Sequence, residues 1–219
     1  MKTVLCFGDS NTWGYVPGSD WGRFPADVRW PGVMRRQLGE RFQVIEEGLN
    51  GRTTVWDDPC MAFRNGREHL PVLLDTHTPL DLVIIMLGTN DLKHYLGLTA
   101  HDIALGAATL VEMVQQSTAG RLVTDVARGA PPVLLVAPPR VVETPTPFGH
   151  KFDDAVARSA GLGEAYREIA EQLQCGFFDA DTVCTCPDTD GVHMDTEAHQ
   201  QLGAAMTPRV LELLNVVRF

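Results

Sequence analysis

Near the amino terminus lies the segment Leu5-Cys6-Phe7-Gly8-Asp9-Ser10-Asn11-Thr12-Trp13-Gly14, in which an apolar run passes into a polar turn. The run from Thr3 to Phe7 has no charge, which is typical of a strand buried on both faces. Ser10 follows where this strand passes into a helical turn, so backbone N–H groups that no helix uses point at whatever lies over its hydroxyl, as in half of an oxyanion hole. The segment predicts a buried first strand and a candidate nucleophile, although Asp9 or Ser10 as a simple helix cap fits it too.

Apolar runs and helical periods alternate along the rest of the chain. Four more strands are predicted, at Phe42 to Glu46, Asp81 to Leu87, Val133 to Ala137 and Gly176 to Asp179. Predicted helices cover Trp30 to Leu38, Asn65 to Thr76, a stretch opening with a Thr99–Asp102 capping box, Asp153 to Gln174, and Glu197 to Val210. This alternation predicts one α/β domain over residues 1–219, with a parallel sheet, right-handed crossovers and helices on both faces.

Composition narrows the classes of function. A net charge of -10 disfavours nucleic acid and anionic membrane surfaces as partners. No apolar run is long enough for a signal peptide or a membrane span, and the five cysteines are an odd number, so we expect a cytoplasmic protein. Cys184-Thr185-Cys186 has no second cysteine pair at ligand spacing, so neither a metal nor any other cofactor is expected.

Polar residues follow four of the predicted strands. Ser10, Gly51, Asn90 and the segment Asp190 to His193 each lie just beyond a strand's carboxyl end. Open parallel sheets place their sites at that edge, so we expect these turns to meet there. Each turn alone also has an ordinary structural interpretation, such as an Asx turn at Asn90 or an exposed histidine at His193.

Together these residues provide the groups that acyl transfer requires. His193 is the candidate base for Ser10, and Asp190, three residues earlier, lies close enough in sequence to orient the imidazole. The backbone N–H of Gly51 and the side-chain amide of Asn90 can donate to an oxyanion. The sequence therefore favours a serine hydrolase.

The blocks Gly8-Asp9-Ser10, Gly51, Gly88-Thr89-Asn90-Asp91 and Asp190-Gly191-Val192-His193 resemble those of the SGNH (GDSL-type) hydrolases. Further segments resemble the bacterial arylesterases that are also described as acyltransferases or perhydrolases: Trp13-Gly14, Ile45-Glu46-Glu47-Gly48-Leu49, Arg52-Thr53-Thr54, Asp57-Asp58-Pro59 and Leu80 to Asp91. The resemblance implies a three-layer, flavodoxin-like α/β/α fold whose five-stranded parallel sheet has the order 2-1-3-4-5.

The same resemblance implies the function and the site. It makes Ser10, Asp190 and His193 the catalytic residues, with Ser10, Gly51 and Asn90 forming the oxyanion hole. It also implies short-chain acyl and aryl esters as substrates, acyl transfer to alcohols or peroxide, and often a homo-octamer.

The residues around the nucleophile predict a substrate pocket. We expect Asp9, Asn11, Trp13 and His94 to line it, with Trp13 one helical turn beyond Ser10. Asn11 stands where the resembling family more often has leucine. The irregular segments Tyr15 to Arg29 and Pro138 to Pro147 are candidate lids over the same edge. The first is shorter than in the resembling arylesterases, and the segment Gly120 to Gly129 does not match their pattern. Both differences bear on assembly and substrate range.

Two other functions use the same turns. A metal-dependent phosphohydrolase would place Asp9, Asp91 and Asp190 around Mg²⁺, but the chain has no P-loop pattern and no lysine placed to balance phosphate charge. A non-catalytic flavodoxin-like domain would hold a ligand with these turns. The serine hydrolase interpretation uses more of the observed residues than either alternative.

Overall fold

The computed structural model describes residues 1–122, 129–146 and 149–215. In these ranges five parallel strands form one sheet with the order β2-β1-β3-β4-β5. The strands are β1 Lys2–Gly8, β2 Phe42–Gly48, β3 Leu82–Met86, β4 Val133–Ala137 and β5 Gly176–Asp179. The predicted sheet and its order are confirmed.

Helices cover both faces of this sheet. They are α1 Ser10–Trp13, α2 Trp30–Leu38, α3 Gly66–His77, α4 Ala100–Gln115, α5 Ala155–Ala160, α6 Leu162–Gln172 and α7 Thr196–Leu213. Leu5 and Phe7 of β1 pack into a core with α3, α4 and α6, whereas Val4 and Cys6 pack into a second core with α2 and α7. Successive side chains of a strand point to opposite faces of the sheet. A strand that is buried on both faces therefore has a continuous run of apolar residues in its sequence.

Two local predictions differ in outcome. The capping box that opens α4 is confirmed, because Asp102 N donates to Thr99 Oγ1 at 3.2 Å and Thr99 N donates to Asp102 Oδ2 at 2.9 Å. The single helix predicted from Asp153 to Gln174 is wrong. Asp154 has a φ of 63°, and the N–H of Gly161 turns back to the carbonyl oxygens of Arg158 and Ser159, so the regular ladder is interrupted between α5 and α6.

The segments that differ from the resembling arylesterases, and the two candidate lids, are only partly described. The segment from Tyr15 to Arg29 contains a single antiparallel bridge, between Tyr15 and Arg23. Residues 123–128 of the divergent 120–129 segment, and Pro147 at the end of the second candidate lid, lie outside the described residues. None of the helices described is long and apolar enough to cross a membrane.

Candidate active site

Ser10 is the first residue of α1, directly after the exit from β1. Asp9 is the N-cap, and its Oδ1 accepts from Asn11 N at 2.9 Å. The chain turns so closely at Gly8 that a Cβ there would lie 2.1 Å from Thr12 Oγ1 and 2.9 Å from Met86 O. The turn therefore requires glycine, and it leaves the N–H of Ser10 at a helix end, where no earlier carbonyl of the helix accepts it.

A chain of hydrogen bonds links Ser10, His193 and Asp190. His193 Nε2 lies 3.0 Å from Ser10 Oγ, and His193 Nδ1 lies 2.9 Å from Asp190 Oδ2. The three residues are almost completely buried. The fold brings Ser10 and His193 together although 183 positions separate them in the sequence. Since the carboxylate accepts the hydrogen of Nδ1, the free lone pair of the neutral imidazole is on Nε2, facing the serine hydroxyl.

Asp190 is held as an anion. Its Oδ1 accepts from the N–H groups of Val192 and His193 at 3.0 and 2.9 Å, and its Oδ2 also accepts from Gly18 N at 3.1 Å. Burial alone would raise the pKa of Asp190, but these bonds and the charge of His193 outweigh it and lower the pKa to about 2. The carboxylate is therefore ionised at neutral pH and can stabilise an imidazolium.

Asn11 fastens the His193 loop to α1. Its Nδ2 donates to Val192 O at 3.1 Å, and its Oδ1 accepts from Met194 N at 2.9 Å. The side chain is buried and these two bonds occupy its amide. This position differs from the expected pocket wall, because the amide faces the backbone on both sides of His193.

Two further turns bring candidate oxyanion donors next to Ser10. Gly51 has a φ of +83° in the turn closed by Arg52 N donating to Leu49 O at 3.0 Å, and only glycine adopts this conformation easily. Asn90 Nδ2 donates to Arg52 O at 3.1 Å and makes a longer contact of 3.4 Å with Asp9 Oδ2. Within the described ranges no hydrogen-bond partner is found for the N–H groups of Ser10 and Gly51.

Two buried carboxylates lie behind these donors. Asp91 accepts from Thr54 N at 3.0 Å and from Thr54 Oγ1 at 2.5 Å. Burial raises the pKa of both Asp9 and Asp91 to about 6, against the opposing effect of their hydrogen bonds. Asp9, which we expected to line the pocket, is almost completely buried and contacts Asn11 N and Asn90 Nδ2. In the described part of the chain, no three His, Cys, Asp or Glu residues group as a metal site.

The aromatic side chain that contacts His193 is Tyr15, a residue that the sequence analysis did not single out. Its ring stacks on the imidazole with a centroid distance of 4.4 Å, and its hydroxyl donates to Ser19 O at 2.7 Å. Trp13 lies next to Tyr15, at 6.3 Å between centroids, and beneath the guanidinium of Arg23. In the sequence, the only signal for Tyr15 was that it is an aromatic residue a few positions after the candidate nucleophile. The same signal applied to Trp13, so it did not distinguish the two residues.

His94, which we expected to line the pocket, contacts the segment that follows β4. It is exposed, and its Nδ1 lies 3.3 Å from Lys151 O, so it joins the segment after Asn90 to the 3₁₀ turn Gly149–Phe152. Asp58 nearby accepts from Lys93 Nζ at 2.6 Å and from the hydroxyl of Tyr95 at 3.1 Å, with both members of the ion pair buried. These contacts hold the 58–60 segment against the turn that follows Asn90.

Comparison with known proteins gives consistent results. A model of the GDSL-like lipase/acylhydrolase family matches residues 6–201. An arylesterase from Vibrio mimicus is 30% identical over 205 residues, covering 90% of this chain and 82% of the relative.

Two solved structures are similar over nearly the whole chain. The aryl esterase of M. smegmatis is 45% identical with a TM-score of 0.92, and the alignment covers 97% of this chain and 100% of that one. Est24, a carbohydrate acetylesterase from Sinorhizobium meliloti, is 41% identical with a TM-score of 0.91 over the same shares of the two chains.

Proposed function

The chain belongs to the GDSL-like lipase/acylhydrolase family and is a carboxylic ester hydrolase, and we propose that it cleaves short-chain acyl and aryl esters through an acyl-enzyme on Ser10. The observation that carries this proposal is the hydrogen-bonded series Ser10–His193–Asp190, with the N–H groups of Ser10 and Gly51 and the amide of Asn90 beside it.

In the proposed mechanism, Ser10 Oγ attacks the ester carbonyl while His193 Nε2 takes the hydroxyl proton. The carbonyl oxygen becomes an oxyanion, which the Ser10 and Gly51 N–H groups and the Asn90 amide stabilise. His193 then returns the proton to the departing alcohol, leaving the acyl group on Ser10. Water, activated by the same imidazole, releases the acid and restores the hydroxyl. Asp190 stays ionised and stabilises the imidazolium throughout.

Covalent labelling tests the nucleophile. A fluorophosphonate should form an adduct that peptide mass spectrometry locates on Ser10, and Ser10→Ala should neither label nor turn over an aryl acetate. The partly exposed Ser19 offers a matched control, because Ser19→Ala should label normally. An active enzyme labelled at another residue, or not labelled at all, contradicts the mechanism.

Acyl transfer to alcohols or peroxide is a second part of the proposal. The ring of Tyr15 stacks on His193, and an aromatic surface beside the imidazole would favour a small alcohol over water as the acyl acceptor. Product analysis with an aryl acetate and a dilute primary alcohol should detect the new ester. Free acetate as the sole product contradicts transfer and leaves the esterase proposal intact.

We also propose that the chain forms a homo-oligomer. Phe63 is 78% exposed, Trp21 64% and Val72 64%, and large apolar side chains in water favour contact with another surface. Light scattering should give a mass several times that of one chain, and Phe63→Asp should lower it. A monomer at micromolar concentration contradicts this part of the proposal.

A further inference from the structure

We propose that Arg52 is a positioning residue that holds the candidate oxyanion donors of three separate turns in one arrangement. The inference deepens the proposed serine esterase mechanism and rests on it. The network that carries it joins Arg52 to the turn after β1, to the turn after β2 and to Asn90.

The side chain of Arg52 connects the first two turns. Its Nη1 donates to Gly8 O at 2.8 Å and to Glu47 O at 2.5 Å. Gly8 precedes the Asp9–Ser10 cap, so the guanidinium is bonded to the backbone from which Ser10 projects. Leu49 N donates to the same Gly8 oxygen at 3.1 Å, which brings the two turns together a second time.

The backbone of Arg52 serves the other two donors. Its N–H closes the turn that holds Gly51 at positive φ, and its carbonyl oxygen accepts from Asn90 Nδ2 at 3.1 Å. A shift of this one residue would therefore move Gly51 and release Asn90. Oxyanion stabilisation depends on donors held in place before the charge develops, so such a shift should reduce the rate of the chemical step.

The positive charge of Arg52 lies in the interior of the protein. The residue is 4% exposed, its guanidinium lies 4.2 Å from the centre of the Phe7 ring, and no carboxylate in the described ranges pairs with it within 4 Å. Burial lowers its pKa to about 10, against the charges of Glu47 and Asp9, so it remains a cation at neutral pH. A buried cation without a direct counter-ion destabilises a fold, and it also favours negative charge developing nearby.

Kinetics of Arg52→Met test the proposal. Hydrolysis of an aryl acetate should show kcat lowered by about 10- to 100-fold, with KM changed less than about threefold, because the loss falls on the transition state. Arg52→Lys should retain less than about a fifth of kcat, since an ammonium lacks the planar fork of the guanidinium. The loss in the double variant Arg52→Met with Asn90→Ala should be smaller than the product of the two single losses.

The matched control is Arg209→Met. Arg209 lies on α7, outside the three turns, where its guanidinium also donates to a backbone carbonyl, Phe177 O at 3.3 Å, and pairs with Glu212 at 2.9 Å. This variant should keep kcat within about twofold of the wild type whatever it loses in thermal stability, which separates positioning from a general loss of structure.

The outcomes distinguish the two proposals. If wild-type Ser10 takes no fluorophosphonate, the proposed function fails. If wild-type Ser10 labels but a folded Arg52→Met has wild-type kcat, or raises KM alone, only the role of Arg52 is overturned. Should Arg52→Met not fold, Arg52→Lys decides, and wild-type kcat in that variant overturns the role equally.

Discussion

At the scale of single residues, the amide of Asn90, the proposed oxyanion donor, is oriented by hydrogen bonds within the protein. One amide hydrogen is held by Arg52 O at 3.1 Å, while the contact with Asp9 Oδ2 is 3.4 Å and correspondingly weak. In the proposed mechanism, the oxyanion accepts a hydrogen bond from the second amide hydrogen, and only the weak contact with Asp9 is lost. The first hydrogen keeps the amide oriented.

Asn90→Ala should consequently lower kcat by about 100- to 1000-fold with little change in KM, as expected for the loss of one donor to the transition state. Steady-state hydrolysis of an aryl acetate measures both constants. Asn65→Ala is the control, because this amide caps α3 by accepting from Arg67 N, so its loss should affect stability and not kcat. A rise in KM at constant kcat would identify Asn90 as a substrate-binding group.

At the scale of elements, the site depends on contacts between α1 and the loop before α7. Asn11 makes hydrogen bonds with two backbone groups of that loop, Val192 O and Met194 N. In the first candidate lid, Gly18 N donates to Asp190 Oδ2. The segment from Tyr15 onward is thereby attached to the His193 loop, where it supports the proposed triad.

Asn11→Leu keeps the branched shape and the number of heavy atoms of the side chain but removes both bonds. It should lower the free energy of unfolding by roughly 2–4 kcal/mol, because Val192 O and Met194 N are left unpaired in the interior. It should also lower kcat, since the loop that carries His193 loses its attachment. Urea unfolding and aryl acetate kinetics measure the two effects, and unchanged values of both would contradict the assigned contact.

Thr99→Ala tests the contribution of a helix cap that lies away from the site. Loss of the capping box that opens α4 should lower the free energy of unfolding by about 1 kcal/mol and leave kcat unchanged. Denaturant unfolding and steady-state kinetics provide the comparison with Asn11→Leu. A fall in kcat here would mean that α4 also transmits strain to the site.

At the scale of the whole molecule, buried ionisable groups make stability depend on pH in opposite directions. Asp9 and Asp91 have pKa values near 6 in the fold, raised by burial from an ordinary 3.8. The folded chain keeps protons that the unfolded chain releases, so their contribution to stability decreases as pH rises from about 4 to 6. Burial lowers the pKa of His199 from 6.5 to about 3, so its contribution increases with pH over that window.

Comparing Asp91→Asn with the wild type isolates one of these groups. The stability of the variant relative to the wild type should increase between pH 4 and pH 7, by at most about 3 kcal/mol for a shift of two pKa units. Urea unfolding of both proteins at pH 4.5 and 7.5 measures the difference. A difference independent of pH would show that Asp91 is ionised throughout this range in the fold.

Several features of the molecule followed from the sequence by itself because they depend on neighbouring residues. The run Leu82–Met86 is apolar throughout because a central parallel strand is covered on both faces, and the α4 cap is formed between residues three apart. The alternation of strands and helices then placed four turns at one edge of the sheet. The residue types at those turns were enough to select Ser10, Asn90 and His193 as candidates.

Other features were decided only by the tertiary structure. The partners of Asn11 are 181 and 183 positions away, and Tyr15 meets His193 across a comparable distance in the chain. Arg52 reaches Gly8 because β1 and β2 pair in the register that sets Gly8 beside Gly48. No sequence period encodes such contacts, since they depend on how strands and loops pack after the chain has folded.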